Sequence, residues 1–286
     1  MLLARSLEIV SSRRLGGLKR LHAPVRSKTA VQKDPKSKGV IVQSSFAMSS
    51  EAVAAPERTD LYKHGLKSLS PGKTMELALP GLSQFEEKPF EKSNFVKPKS
   101  VYFDQNGTRR KWDLIEAHDS IAVVLHHTGL DAFLLVRQFR PAVYAAALRK
   151  ATELRQPAPS FEEGFTCELC AGIVDKPDLN LAEIAHEEIM EECGFNVPAS
   201  NLMEITSYNS SVGTAGATQS LFFGEVDDSM RNSSGGGGID GENIEVMALP
   251  VKNALDFVLD TSIPKSSGMM FGLMWFMQRA QANGKV

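Results

Sequence analysis

Between Leu181 and Cys193 the chain carries Glu187, Glu188, Glu191 and Glu192 beside an apolar stripe of Ala182, Ala185, Ile189 and Cys193 at spacings of three and four. The stripe predicts a helix buried along one side. At about 100° per residue such a helix brings Glu188, Glu191 and Glu192 within one third of its circumference. The like pairs Glu187/Glu191 and Glu188/Glu192 each cost an isolated helix about 0.2 to 0.5 kcal/mol, so a cation is expected to offset them. The segment must therefore lie with one side on a core and its acidic side in solvent or against a cleft. Spacing alone does not choose between these.

The flanking sequence supplies the core. Val101-Tyr102-Phe103 and Trp112-Asp113-Leu114-Ile115 flank Asn106-Gly107, a pair that accepts positive φ at both positions and so predicts a β-hairpin. Further strands are predicted at Ser120 to His126, Phe133 to Arg137, Phe165 to Leu169, Leu202 to Tyr208, Ser220 to Val226 and Ile244 to Leu249. Helices are predicted from residue 145, over Ala254 to Leu259 and over Met269 to Ala282. Mixed strands with few helices predict an α+β class or α/β sandwich. Residues 48–97 mix Pro, Ser, Lys and Glu without sustained periodicity and predict a poorly ordered extension, which leaves 98–286 as the domain. Ser233-Ser234-Gly235-Gly236-Gly237-Gly238 predicts a flexible loop that does not pack.

Charge is uneven. Residues 1–47 hold ten Lys/Arg against Glu8 and Asp34, leaving the remainder with 22 Lys/Arg against 32 Asp/Glu, a formal charge of −10. An acidic body argues against a nucleic-acid surface and suits a pocket that recruits divalent cations. The Arg- and Ser-rich, acid-poor first 47 residues fit a mitochondrial presequence or a disordered tail. Met48 offers a start that omits them and would leave a cytoplasmic form. No apolar run reaches the roughly eighteen residues that span a bilayer, so no membrane association is expected. Three cysteines make no disulfide framework. Cys167 and Cys170 fall in a predicted strand, where a separation of three points them to opposite faces.

The segment from Gly172 through Glu188-Ile189-Met190-Glu191-Glu192 to Gly194-Phe195 resembles the signature of the Nudix hydrolases, G-x5-E-x7-R-E-U-x-E-E-x-G-U, where U is an aliphatic or bulky apolar residue. It departs from it in three places. The spacing from Gly172 to the Arg position is one residue longer, that position is Glu187, and the first Glu is replaced within Pro177-Asp178-Leu179. Val136-Arg137-Gln138-Phe139-Arg140-Pro141, Glu168-Leu169-Cys170-Ala171-Gly172 and Gly241-Glu242-Asn243-Ile244-Glu245-Val246 are similar to segments of the ADP-ribose and nucleotide-sugar diphosphatase branch, above all to its UDP-sugar diphosphatases, from about Phe95 onward.

The resemblance implies a Nudix α/β/α sandwich with a mixed sheet, preceded by a β-hairpin. It implies Mg²⁺, with Mn²⁺ as a substitute, held by Glu188, Glu191, Glu192, the main-chain carbonyl of Ala171 and the later Glu242. It makes Glu191, Glu192, Asp240 and Glu242 candidate catalytic residues, the last two as general base or final metal ligand. Arg140, with Arg137 as a second candidate, would clamp phosphate, because a guanidinium engages oxygens bidentately. Trp112 would stack on the base across the interface of a homodimer. The implied reaction is hydrolysis of the diphosphate of UDP-glucose or a related nucleotide sugar to nucleoside monophosphate and sugar 1-phosphate. Alternatives are an ADP-ribose or ADP-sugar diphosphatase and, in another class, a Nudix-like module that senses a nucleotide without cleaving it.

Overall fold

The computed structural model describes residues 63–70, 82–93, 96–232, 235–239 and 241–282. The predicted presequence, the alternative start at Met48, Ser233-Ser234 and the candidate base Asp240 lie outside the described residues.

The strands are β1 Lys67–Ser68, β2 Lys97–Gln105, β3 Thr108–Glu116, β4 Ser120–His127, β5 Ala132–Phe139, β6 Phe165–Glu168, β7 Cys170–Ile173, β8 Met203–Asn209, β9 Thr218–Val226 and β10 Glu245–Pro250. The helices are α1 Pro141–Glu153, α2 Leu181–Glu188, α3 Ala254–Leu259 and α4 Ser267–Ala282. β2 and β3 form a ribbon of their own, turned by Asn106 at φ 51° and Gly107 at φ 73°. The other strands make one mixed sheet in the order β1-β10-β5-β4-β9-β8, in which β4 and β9 run parallel.

β4 and β5 pair only near their shared turn, from Leu125↔Leu134 to His127↔Ala132. Beyond it they diverge, and β6 pairs with the end of β5 while β7 pairs with the start of β4. The fork so filled carries Ala171 and Gly172.

Alternation along β4 and β5 divides the core in two. Ile121, Val123, Leu125, Leu134 and Val136 pack with Ile184, Ala185 and Ile189 on the α2 side. Val124, Phe133 and Leu135 pack with Phe257, Val258, Met269 and Leu273 on the α3 and α4 side. Each side chain buried to this degree contributes about 1.5–3 kcal/mol. This is the expected α/β/α arrangement. Cys167 and Cys170 join opposite clusters, as their spacing predicts.

Three expectations are corrected. Part of the extension expected to be poorly ordered is integral: β1 pairs with β10, Leu66 is 2% exposed, and Asp260 accepts from His64 Nε2 at 2.8 Å and binds Lys63 at 2.7 Å. A two-residue strand is too short for periodicity to reveal. The helix predicted through Cys193 is α-helical only to Glu188. Ile189–Cys193 is a π-turn, closed by Gly194 N–H donating to Ile189 O at 3.0 Å. The glycine run packs.

Candidate metal centre

α2 is started firmly. Asn180 accepts from the amides of Ala182 and Glu183, and Glu183 returns a bond to the Asn180 amide, which satisfies N-terminal donors that otherwise lack partners. Its apolar side presses Ile184, Ala185 and Ile189 into the sheet, while Glu188 and Glu192 reach the β6–β7 fork at Gly172 and Ala171.

There Gly172 makes room for Glu188. A Cβ at Gly172 would stand 2.1 Å from both Cδ and Oε1 of Glu188. Gly172→Ala is therefore expected to displace that carboxylate. A displacement of about 1 Å lowers turnover on the order of 10²-fold, while the circular dichroism spectrum stays unchanged; a wild-type kcat would show that the close approach has no functional role.

Glu192 is 5% exposed, and its Oε2 accepts from the Ala171 amide at 3.0 Å. Burial, aided by the charges of Glu188 and Glu242 and opposed by the Ala171 amide and the Cys170 thiol, lifts its proton affinity to about 8. Burial likewise lifts Glu188 to about 7, followed by the charge of Glu191, with Lys176 opposing. Glu242 raises both through its charge, so the helix and the later strand's approach share one electrostatic site.

The glycine run explains how Glu242 arrives. The amides of Gly236, Gly238 and Gly237 donate to the carbonyls of Met190, Glu191 and Glu192 at 3.1, 3.1 and 2.9 Å, capping helix-end acceptors that would otherwise lack partners. Gly236, Gly237 and Gly238 have φ of 90°, 100° and 83°, a conformation that glycine adopts without strain. The loop thus clasps the end of the acidic helix, with Gly194 in the left-handed conformation ending that helix. Ile239 N–H donates to Glu242 Oε2 at 3.3 Å.

The two candidate phosphate ligands separate. Arg140 is 45% exposed in its side chain and donates from Nε and Nη2 to both oxygens of Glu168 at 2.7 Å. It also senses Glu192 and Glu242, so it lies at the rim of the carboxylate cluster. Glu168, although burial raises it, is held below the ordinary carboxylate range by Arg140 and Thr166. The sequence alone assigns Glu168 no role; the pairing of β5 with β6 places it beside Arg140.

Arg137 is corrected. It is 2% exposed and binds Glu162 at 2.7 Å and Glu245 at 3.3 Å, with its guanidinium 4.2 Å above the Phe165 ring. It is an internal ion-pair centre without access to a substrate.

Trp112 is 55% exposed on the β2–β3 ribbon, and its indole N–H donates to Gly213 O at 3.0 Å. Within one chain its polar contact is with that loop and not with the carboxylates. Ala171 meets the cluster through its amide.

The nearby cations are engaged elsewhere: Arg140 on Glu168, Arg137 on Glu162 and Glu245, and Lys176 on Glu187. Carboxyls whose proton affinity is raised by burial and mutual repulsion form a hard oxygen donor set that a divalent cation completes. They are not closed into a cage as they stand. Among the described residues, no three His, Cys, Asp or Glu side chains are arranged to hold a metal ion. Glu192 and Glu242 lean on the amides of Ala171 and Ile239, so a cage requires their side chains to rotate.

Known proteins resolve what this cluster belongs to. The chain is 40% identical over 197 residues to the uridine diphosphate glucose pyrophosphatase of Bos taurus, covering 64% of this chain and 89% of that protein. It is 35% identical to the one of Mus musculus, covering 65% and 90%. The chain belongs to the Nudix hydrolase family. A GDP-mannose pyrophosphatase of Pectobacterium atrosepticum is 29% identical over 192 residues, covering 65% of this chain and 89% of that one. This Nudix hydrolase thus stands among nucleotide-sugar diphosphatases, and hydrolysis of a nucleotide-sugar diphosphate is the activity of that branch. Among solved structures, an ADP compounds hydrolase shares the fold at a TM-score of 0.51 and 16% identity, covering 70% of this chain and 94% of that one. No family model matches the sequence.

Proposed function

We propose that this Nudix hydrolase cleaves UDP-glucose or a closely related nucleotide sugar, with water adding to one diphosphate phosphorus and the bridging P–O bond breaking to give nucleoside monophosphate and sugar 1-phosphate. The observation that carries the reading is the approach of Glu188 to Gly172 and of Glu192 to the Ala171 amide at the fork of β6 and β7, where the charge of Glu242 acts on both. The 40% identity to a uridine diphosphate glucose pyrophosphatase supports the choice of substrate.

Glu188, Glu191, Glu192 and Glu242, with the Ala171 main chain, would hold Mg²⁺ or Mn²⁺. Bound there, the cation neutralises diphosphate oxygens and lowers the pKa of water. Arg140, released from Glu168, engages phosphate oxygens in the same bidentate manner. Glu242, which the glycine loop brings to the carboxylate cluster, accepts the proton of the attacking water, a role for which Asp240 is the other candidate. The β2–β3 ribbon is exposed at every residue but Leu114, and a ribbon of two strands is marginal alone. A homodimer that covers it and lends Trp112 to the partner's base site fits that exposure. The basic first 47 residues fit import into mitochondria.

Release of phosphate after phosphatase treatment, measured across UDP-glucose, GDP-mannose, ADP-glucose and ADP-ribose with Mg²⁺ and with chelator, tests the reading. UDP-glucose is expected to give the highest kcat/KM, with no turnover in chelator. Preference for ADP-ribose, or cleavage independent of metal, would contradict it.

A further inference from the structure

Glu187 stands where the Nudix signature has Arg, and the chain places a cation opposite it. Lys176 lies in the loop between β7 and α2, and its Nζ sits 2.5 Å from Glu187 Oε2. Both side chains are about 40% exposed, at 40% and 37%. Beyond Glu187, the charges of Glu191 and Glu188 also act on Lys176. An exposed pair of this kind contributes little to folding, too little to make stability its reason.

Position gives a better one. The start of α2 is held by Asn180 and Glu183, and the end of the π-turn is held by the glycine loop. The stretch between them is where α-helix passes into π-turn and where Glu188 projects at Gly172. Glu187 is the residue beside Glu188, and Lys176 draws it back toward the loop.

We infer that Lys176 and Glu187 are positioning residues forming a brace of reversed polarity, in which the loop supplies the cation and the acidic helix the anion, so that Glu188, Glu191 and Glu192 are presented together to a divalent cation. The inference rests on the metal-site reading above. It also answers the repulsion among the glutamates: Lys176 removes Glu187 from the competition for the bound ion.

The test is a charge exchange read by Mn²⁺ binding to the protein without nucleotide. Lys176→Glu makes the site more negative, and Glu187→Arg makes it more positive. A pure field effect would tighten Mn²⁺ in the first variant and weaken it in the second. The brace predicts weakening in both, by about 10-fold or more, because each places like charges on facing side chains. The double variant Lys176→Glu/Glu187→Arg restores an opposite pair and is expected to return within about threefold of the unaltered dissociation constant, as coupled residues do. Melting of the metal-free variants checks that each is folded. Opposite signs in the two single variants, no change in either, or no recovery in the double would overturn the brace. If the unaltered chain itself binds no Mn²⁺, or binds it undiminished with Glu192→Gln, the metal site falls and the brace with it.

Discussion

Glu192→Gln is expected to lower kcat on the order of 10²- to 10³-fold while leaving the metal-free protein at least as stable as before. The first half follows from losing an anionic oxygen donor, because metal stabilisation of charge at a diphosphate amounts to several kcal/mol and each 1.4 kcal/mol is about a factor of ten. The second half follows from burial. Glu192 is 5% exposed, and its environment holds the proton up to about 8, whereas an unfolded carboxyl releases it near 4.5. The folded state therefore carries a proton through the window from about 4.5 to about 8 that the unfolded state has lost. Its contribution to stability is present below that window and disappears as pH rises through it. Glutamine keeps the shape and hydrogen bonding without the ionisation. Activity assays with Mg²⁺ and thermal melts in chelator at pH 6 and pH 8.5 read both halves. A variant that loses turnover only because it melts early would contradict the account.

Arg137→Met is expected to be the most damaging single change to the fold, at about 3–5 kcal/mol, because it leaves a buried charge without its partner. Glu245 is 2% exposed, receives Arg137 Nη1 at 3.3 Å, and its Oε1 already has no hydrogen-bond partner. Glu162 loses a 2.7 Å bond as well, and Phe165 loses the cation above its ring. Urea unfolding measures the cost. The companion Arg137→Met/Glu245→Leu should recover much of it, since a buried pair exchanged for apolar groups is often neutral. A single variant as stable as the unaltered chain, with only KM raised, would instead return Arg137 to the substrate.

These two residues show what sequence could and could not say. Glu192 was legible because helical spacing and the neighbouring apolar stripe fix both its direction and the burial of its helix. Arg137 was not, because alternation along β5 places it on a face but not at a depth. Its depth depends on Glu162 and Glu245, which arrive from 25 and 108 residues away. The hairpin was legible from Asn106-Gly107, whose backbone needs are local. The clasp made by Gly236 to Gly238 was not, because composition signals freedom in a glycine run and only the carbonyls of Met190, Glu191 and Glu192 show what that freedom serves. β1 was hidden by its length, two residues among prolines and lysines. Lys176 was hidden by the irregular loop that carries it, although repulsion among the glutamates had called for a cation.

On the proposed reading Glu188 and Glu192 hold the divalent cation and carry protons in its absence. Titrating Mg²⁺ into the metal-free protein at pH 7, in two buffers of different ionisation enthalpy, counts the protons that leave as the ion binds. With carboxyls at about 7 and 8, binding is expected to release about one proton or slightly more. Release should fall to almost none near pH 9.5 and be reduced in Glu192→Gln. Binding that releases no protons at pH 7, or the same number with Glu192→Gln, would contradict the claim.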